Sequence, residues 1–95
     1  MSNTDAHKDE GKLMPGVNFS TFIVSIGTSA LMYLGELSAP GAEGPKKDLA
    51  MAKHTIDTLA MLQTKTAGNL TNDETELLRQ LLYDLRMKYI TATSA

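Results

Sequence analysis

Residues 19–34 read FSTFIVSIGTSALMYL, and they sit inside the longest uncharged span of the chain, Leu13 to Gly35. At helical spacing Phe19, Phe22, Ile23, Ile26, Ala30, Tyr33 and Leu34 share one face, and Val24 and Leu31 widen it beyond the stripe of an ordinary surface helix. The remaining positions carry hydroxyls rather than charge. Thr21, Ser25, Thr28 and Ser29 can each return a hydroxyl to the carbonyl three or four residues back, so this second face can also be covered without a stranded polar group. Ser25 and Ser29 are four apart and Gly27 lies between them, a small-residue spacing that lets helices approach closely. Asn18 is placed to cap the helix by accepting from the N–H of Ser20 or Thr21, and Gly35 to end it in the left-handed region. The spacing predicts a helix over 18–34 that needs cover on more than one side.

Downstream, Leu37 to Pro45, LSAPGAEGP, holds two prolines and two glycines and reads as a connection. Pro45 predicts the start of a second helix, at a position where its missing N–H costs nothing. That helix, over 45–66, repeats Leu49, Ala52, Ile56 and Leu59 at alternating spacings of three and four, broadened by Met51 and Leu62, and Gly68 stops it. Gln63 and Thr66 take the next positions of the repeat, and a seam that turns polar argues against a long coiled coil. Thr71 and Glu74 form the T-x-x-E of a capping box, so a third helix is predicted over 72–91. Its apolar face is the strongest in the chain: Leu77, Leu78, Leu81, Leu82, Leu85 and Tyr89 fall within about 140°. Asp84 and Lys88 are spaced for an i,i+4 ion pair. The short link between the second and third helices predicts an antiparallel hairpin. No alternation of period two occurs, so the fold class is all-α: one domain over 18–91, preceded by a flexible polar tail over 1–17 and followed by a frayed end over 92–95.

Ninety-five residues with polar ends leave a thin core for a monomer, and small folds of this size are commonly completed by a disulfide, a metal or a partner chain. With no cysteine, the first is excluded. His7 and His54 are too few and too far apart for a structural zinc site, so no metal and no cofactor is expected. A net charge of −2 argues against a protein whose main partner is a phosphate backbone. The opening MSNTDAHKDEGK carries acids before any apolar run, unlike a secretory signal, which makes the cytoplasm the expected compartment.

Two long blocks carry a family resemblance: NFSTFIVSIGTSALMYLGE, then DLAMAKHTIDTLAMLQTKTAGNLTNDETELLRQLLYDLRMKY. Over Val17 to Tyr89 they resemble the small bacterial family called domain of unknown function 1844, whose pattern runs from an FSTF…SALxxLGE helix, through AKxTIDxLxMLxxKTxGNLT, to LLYDLRMxY. The order of blocks is specific, with KT-x-GNLT followed about ten residues later by LLYDLRM. The resemblance brings no catalytic or cofactor-binding residue to the chain.

Candidate chemistry is sparse. His54 and Asp57 form an i,i+3 pair on the second helix, but Lys53, Thr64 and Lys65 beside them mark a solvated face. No nucleophile elbow, phosphate loop, H-E-x-x-H or E-x-x-H occurs, and no catalytic residue is assigned. Arg79, Asp84, Arg86 and Lys88 make a candidate polar contact patch that could meet an anionic partner, against the plainer reading of surface ion pairs. Tyr83, Met87 and Ile90 make a second apolar stripe opposite the leucines, which one hairpin partner cannot cover. The expected interface therefore comprises Phe22, Ile26, Leu31, Tyr33, Tyr83 and Met87.

Three classes of function follow. A self-associating or protein-binding module, most simply a two-fold homodimer, fits apolar surface in excess of what three short helices can hide. A peripheral membrane-associated protein is the alternative, although a helix of about 17 residues spans about 25 Å against about 30 Å of hydrocarbon. An enzyme with a site shared between subunits comes last. The tail reading has a direct test: deleting residues 1–12 should leave the melting temperature within a few degrees of the parent, and a larger fall would show that the tail packs on the domain.

Overall fold

The computed structural model describes residues 16–94. Among them the chain is all-α, with three helices packed together and no strand: α1 Phe19–Tyr33, α2 Leu49–Lys65 and α3 Asn72–Ser94. Each helix packs against both of the others. The tail expected over 1–17 lies, apart from Gly16 and Val17, outside the described residues.

The ends of α1 are capped as its sequence requires. Asn18 is extended, and its Oδ1 accepts from the Thr21 N–H at 2.8 Å. At the other end the N–H groups of Leu34, Gly35 and Glu36 donate to the carbonyls of Ala30, Met32 and Leu31, a Schellman arrangement that turns on Gly35 at φ +82°. The carbonyl of Tyr33 accepts from the Asp48 N–H at 2.7 Å. All four carbonyls left over at the end of α1 are thus satisfied, and the last bond ties α1 to the start of α2.

Two helix boundaries differ from those the sequence predicts. α2 begins at Leu49 rather than Pro45, because the Asp48 side chain accepts from the Met51 N–H at 3.1 Å, whereas a start at Pro45 would leave Gly44, with no side-chain acceptor, as the cap. A carboxylate there also meets the positive end of the helix. α3 begins where the capping box predicts, with the Thr71 N–H donating to Glu74 and the Glu74 N–H donating to Thr71 Oγ1. It runs on through the residues expected to fray, to Ser94. Ala92 packs against the core there, and Thr91, Thr93 and Ser94 return their hydroxyls to the carbonyls of Met87, Tyr89 and Ile90.

The core draws Ile23, Ala30 and Leu34 from α1 and its end, Ala52, Ile56 and Leu59 from α2, and Leu78, Leu82 and Leu85 from α3. Thr55 is buried among them without an orphan, its hydroxyl donating to the Met51 carbonyl at 2.8 Å. The buried stripe of α1 runs Ile23, Gly27, Ala30, Leu34, rotated from the broader face read in the sequence, so that Phe22 and Val24 are exposed. Gly27 lies within that stripe. A Cβ at that position would stand 2.9 Å from Cδ1 of Leu81, so the absence of a side chain lets α3 come in over the backbone. Ser25, expected to share the close approach, faces outward instead.

Two substitutions test this packing. Thr71→Ala should cost about 0.5–2 kcal/mol in denaturant unfolding, through loss of the N-cap. Gly27→Leu should cost about 1–3 kcal/mol by overpacking against Leu81; an unchanged midpoint would place Gly27 outside the contact.

Candidate interaction surfaces

The side of α1 turned away from the core carries no charged residue from Phe19 to Tyr33. Three of its hydroxyls are spent on their own helix: Ser25 donates to the Phe22 carbonyl at 2.7 Å, Thr28 to Val24 at 2.9 Å and Ser29 to Ser25 at 3.3 Å, whereas Thr21, expected to do the same, makes no such bond. At those three positions the face asks nothing of water that an apolar neighbour could not replace. Phe22, 51% exposed, and Val24, 45% exposed, flank it on either side.

Of the other residues expected at an interface, Ile26, Leu31 and Tyr33 are half-buried and pack against the core. Tyr83 and Met87 are exposed on the outer side of α3, Tyr83 at 59%, and Ile90 continues their stripe. The structure therefore divides the expected set into an α1 surface and an α3 surface, joined by residues that serve the core. Val24 belongs with the α1 surface, and its apolar character had placed it in the core face instead. Sequence periodicity alone does not choose which edge of a wide apolar face is covered.

The polar patch is divided as well. Arg79 pairs with Glu76 one turn earlier, and the hydrogen bond and charge of that carboxylate raise the guanidinium pKa further. Asp84 accepts from Gln80 at 3.2 Å, and Lys88 reaches Glu36 at 3.4 Å, so the expected Asp84–Lys88 pair is replaced by two other contacts. Lys88 thereby links α3 to the end of α1 across 52 residues of sequence. Arg86 is exposed beside them. On α2, Asp57 accepts from Lys53 at 2.8 Å rather than orienting His54, and its hydrogen bond and charge hold the Lys53 ammonium above its usual range. All of this lies in solvent, as a solvated face would. Among the described residues no three of His, Asp or Glu converge to hold a metal ion. No helix among them is long and apolar enough to cross a membrane.

A third feature was not legible in the sequence. The connection over 34–48 arches beside the last turns of α1 and leaves a cleft of about 520 Å³, lined by Met32, Tyr33, Leu37, Pro40, Lys46 and Lys47 among others. The prolines and glycines of the connection marked a turn-rich segment, but not that its two ends are held together by the Tyr33–Asp48 bond.

The family model described as a domain of unknown function (DUF1844) matches residues 16–91, the whole three-helix unit up to the last turn of α3. The chain belongs to this family. Its match takes in α1, the connection, α2 and most of α3, so the DUF1844 unit is the packed domain itself rather than a motif within it. No curated protein and no solved structure matches the chain.

The Glu36–Lys88 pair is half-exposed on both sides and should contribute little. A double-mutant cycle with Glu36→Gln and Lys88→Met should return a coupling of about 0.2–1 kcal/mol that shrinks in high salt. A coupling that is larger and indifferent to salt would make it an anchor of the fold.

Proposed function

We propose that this DUF1844 protein is a non-enzymatic self-associating module, an obligate homo-oligomer and most simply a two-fold dimer, in which α1 is covered on its inner side by an antiparallel α2–α3 hairpin and on its outer side by a second copy. The observation that carries this reading is the outer surface of α1: uncharged from end to end, with the hydroxyls of Ser25, Thr28 and Ser29 bonded to its own backbone and with Phe22 and Val24 exposed at its flanks. Half-burying Phe22 and Val24 further would contribute about 0.8–1.5 kcal/mol per side chain, half of the value for complete burial. Summed over the two side chains, that is about 1.6–3 kcal/mol per chain, a large fraction of the about 3–5 kcal/mol that a core of this size supplies. Two-fold pairing of like surfaces is the commonest route by which soluble chains self-associate.

Light scattering on the purified chain should give at least twice the 10.3 kDa chain mass, and the melting temperature should rise with protein concentration. Phe22→Asp should unfold the chain rather than yield a stable monomer; its position on the flank of α1 makes it a better probe than the half-buried Ile26. A folded parent monomer at micromolar concentration, melting at a temperature independent of concentration, would overturn the reading.

A further inference from the structure

We propose that the cleft between α1 and the 34–48 connection is a binding site for a small amphipathic anion, an apolar chain carrying a single carboxylate. Its volume of about 520 Å³ falls within the range of about 300–1,000 Å³ common to ligand clefts. Met32 and Tyr33 of α1 face Leu37, Ala39, Pro40 and Ala42 of the connection, so the walls are apolar. The connection is a wall rather than a tether. Its ends are closed by the Tyr33–Asp48 bond, the Ala42 N–H donates to the Ala39 carbonyl at 3.0 Å, and Gly41 and Gly44, at φ +80° and +145°, turn the chain in conformations that side chains rarely adopt. A compact surface loop with its ends pinned together has the form of an Ω-loop, a class that often carries function.

The charge in the cleft points to the head group. Lys46 and Lys47 both line it, and neither forms an ion pair with a described residue. The stem of Lys47 lies over Gly35, where a Cβ would stand 3.5 Å from its Cγ and Cε, and Lys47 also borders the neighbouring hollow beside Glu36 and Lys88. Asp48 is the carboxylate in the lining, and its Oδ1 accepts from the Met51 N–H at the start of α2. The hydroxyl of Ser29 is bonded to the Ser25 carbonyl, and the terminal carbonyls of α1 accept from Leu34, Gly35, Glu36 and Asp48. A peptide laid along this wall would find no backbone partner on α1, whereas an acyl chain needs only apolar contact and a cation at one end. The cleft adjoins the proposed dimer surface without coinciding with it: Phe22 and Val24 belong to the first two turns of α1, and the cleft opens beside the last two, where Ser29 lines it.

The test is an NMR titration of the full ¹⁵N-labelled chain with decanoate below its micellar concentration, with decanol as the neutral probe and decyltrimethylammonium as the cationic one. Decanoate should produce saturable amide shifts centred on Ser29, Met32, Leu37 and Ala42. Lys46→Gln with Lys47→Gln should weaken decanoate binding about tenfold, the loss expected for a charge-assisted contact, and leave decanol binding unchanged. Both lysines are exposed, so an unchanged melting temperature would show that the double variant is folded. Leu37→Asp should remove the binding of both ligands. Absence of saturable shifts, shifts spread equally over Phe22 and Tyr83, equal affinity for the cationic probe, or decanoate affinity unaltered in the double variant would each overturn the assignment.

Discussion

At Gly27 the backbone of α1 comes so close to α3 that an added Cβ would crowd the tip of Leu81, and this approach lies in the middle of the buried stripe of the helix. With a side chain at this position the tip of Leu81 would have to move aside. Because α3 settles over Gly27, the residues that enter the core are those in register with it: Ile23 one turn before, Ala30 and Leu34 in the turns after. Two of these four positions carry little or no side chain. α1 consequently contributes few large side chains to the core, although it is the most apolar helix of the three.

The rest of α1 must then go somewhere. Ile26, Leu31 and Tyr33 lie along the edges of the stripe and share the core, while Phe22 and Val24 are turned out. The hydroxyls of Ser25, Thr28 and Ser29 between them bond back to their own helix, which suits these positions to an apolar neighbour as well as to water. The proposed self-association rests on that surface. Tyr83, Met87 and Ile90 on α3 form a different exposed surface.

The connection between α1 and α2 gains its shape from capping. Three N–H groups of the chain just past α1 return to its carbonyls, and the fourth carbonyl takes the N–H of Asp48, whose side chain in turn caps α2. One residue thus closes the loop and starts the next helix. The cleft exists because those two tasks fall at the same place, with the intervening chain arched outward at Gly41 and Gly44.

By itself the sequence determined the helical class, the number of helices, and most of their ends, because capping is local chemistry: Asn18, Gly35, Thr71 with Glu74, and Gly68 act within a few residues of where they stand. It also determined family membership, which rests on the order of its blocks. At the start of α2 two local signals compete, and Asp48, with a side chain able to accept, outweighs Pro45. The division of the apolar residues into core and surface was decided only by tertiary structure. Periodicity shows that α1 has a wide apolar face, but which part is covered depends on how near another helix can come, and that depends on a glycine whose role appears only when Leu81 is placed against it. The same holds for Lys88, which had a local partner available in Asp84 and instead reaches Glu36, brought beside it by the packing of α1 on α3. Contacts between residues far apart in the chain leave no trace in its local pattern, and the surfaces of this protein are made of such contacts.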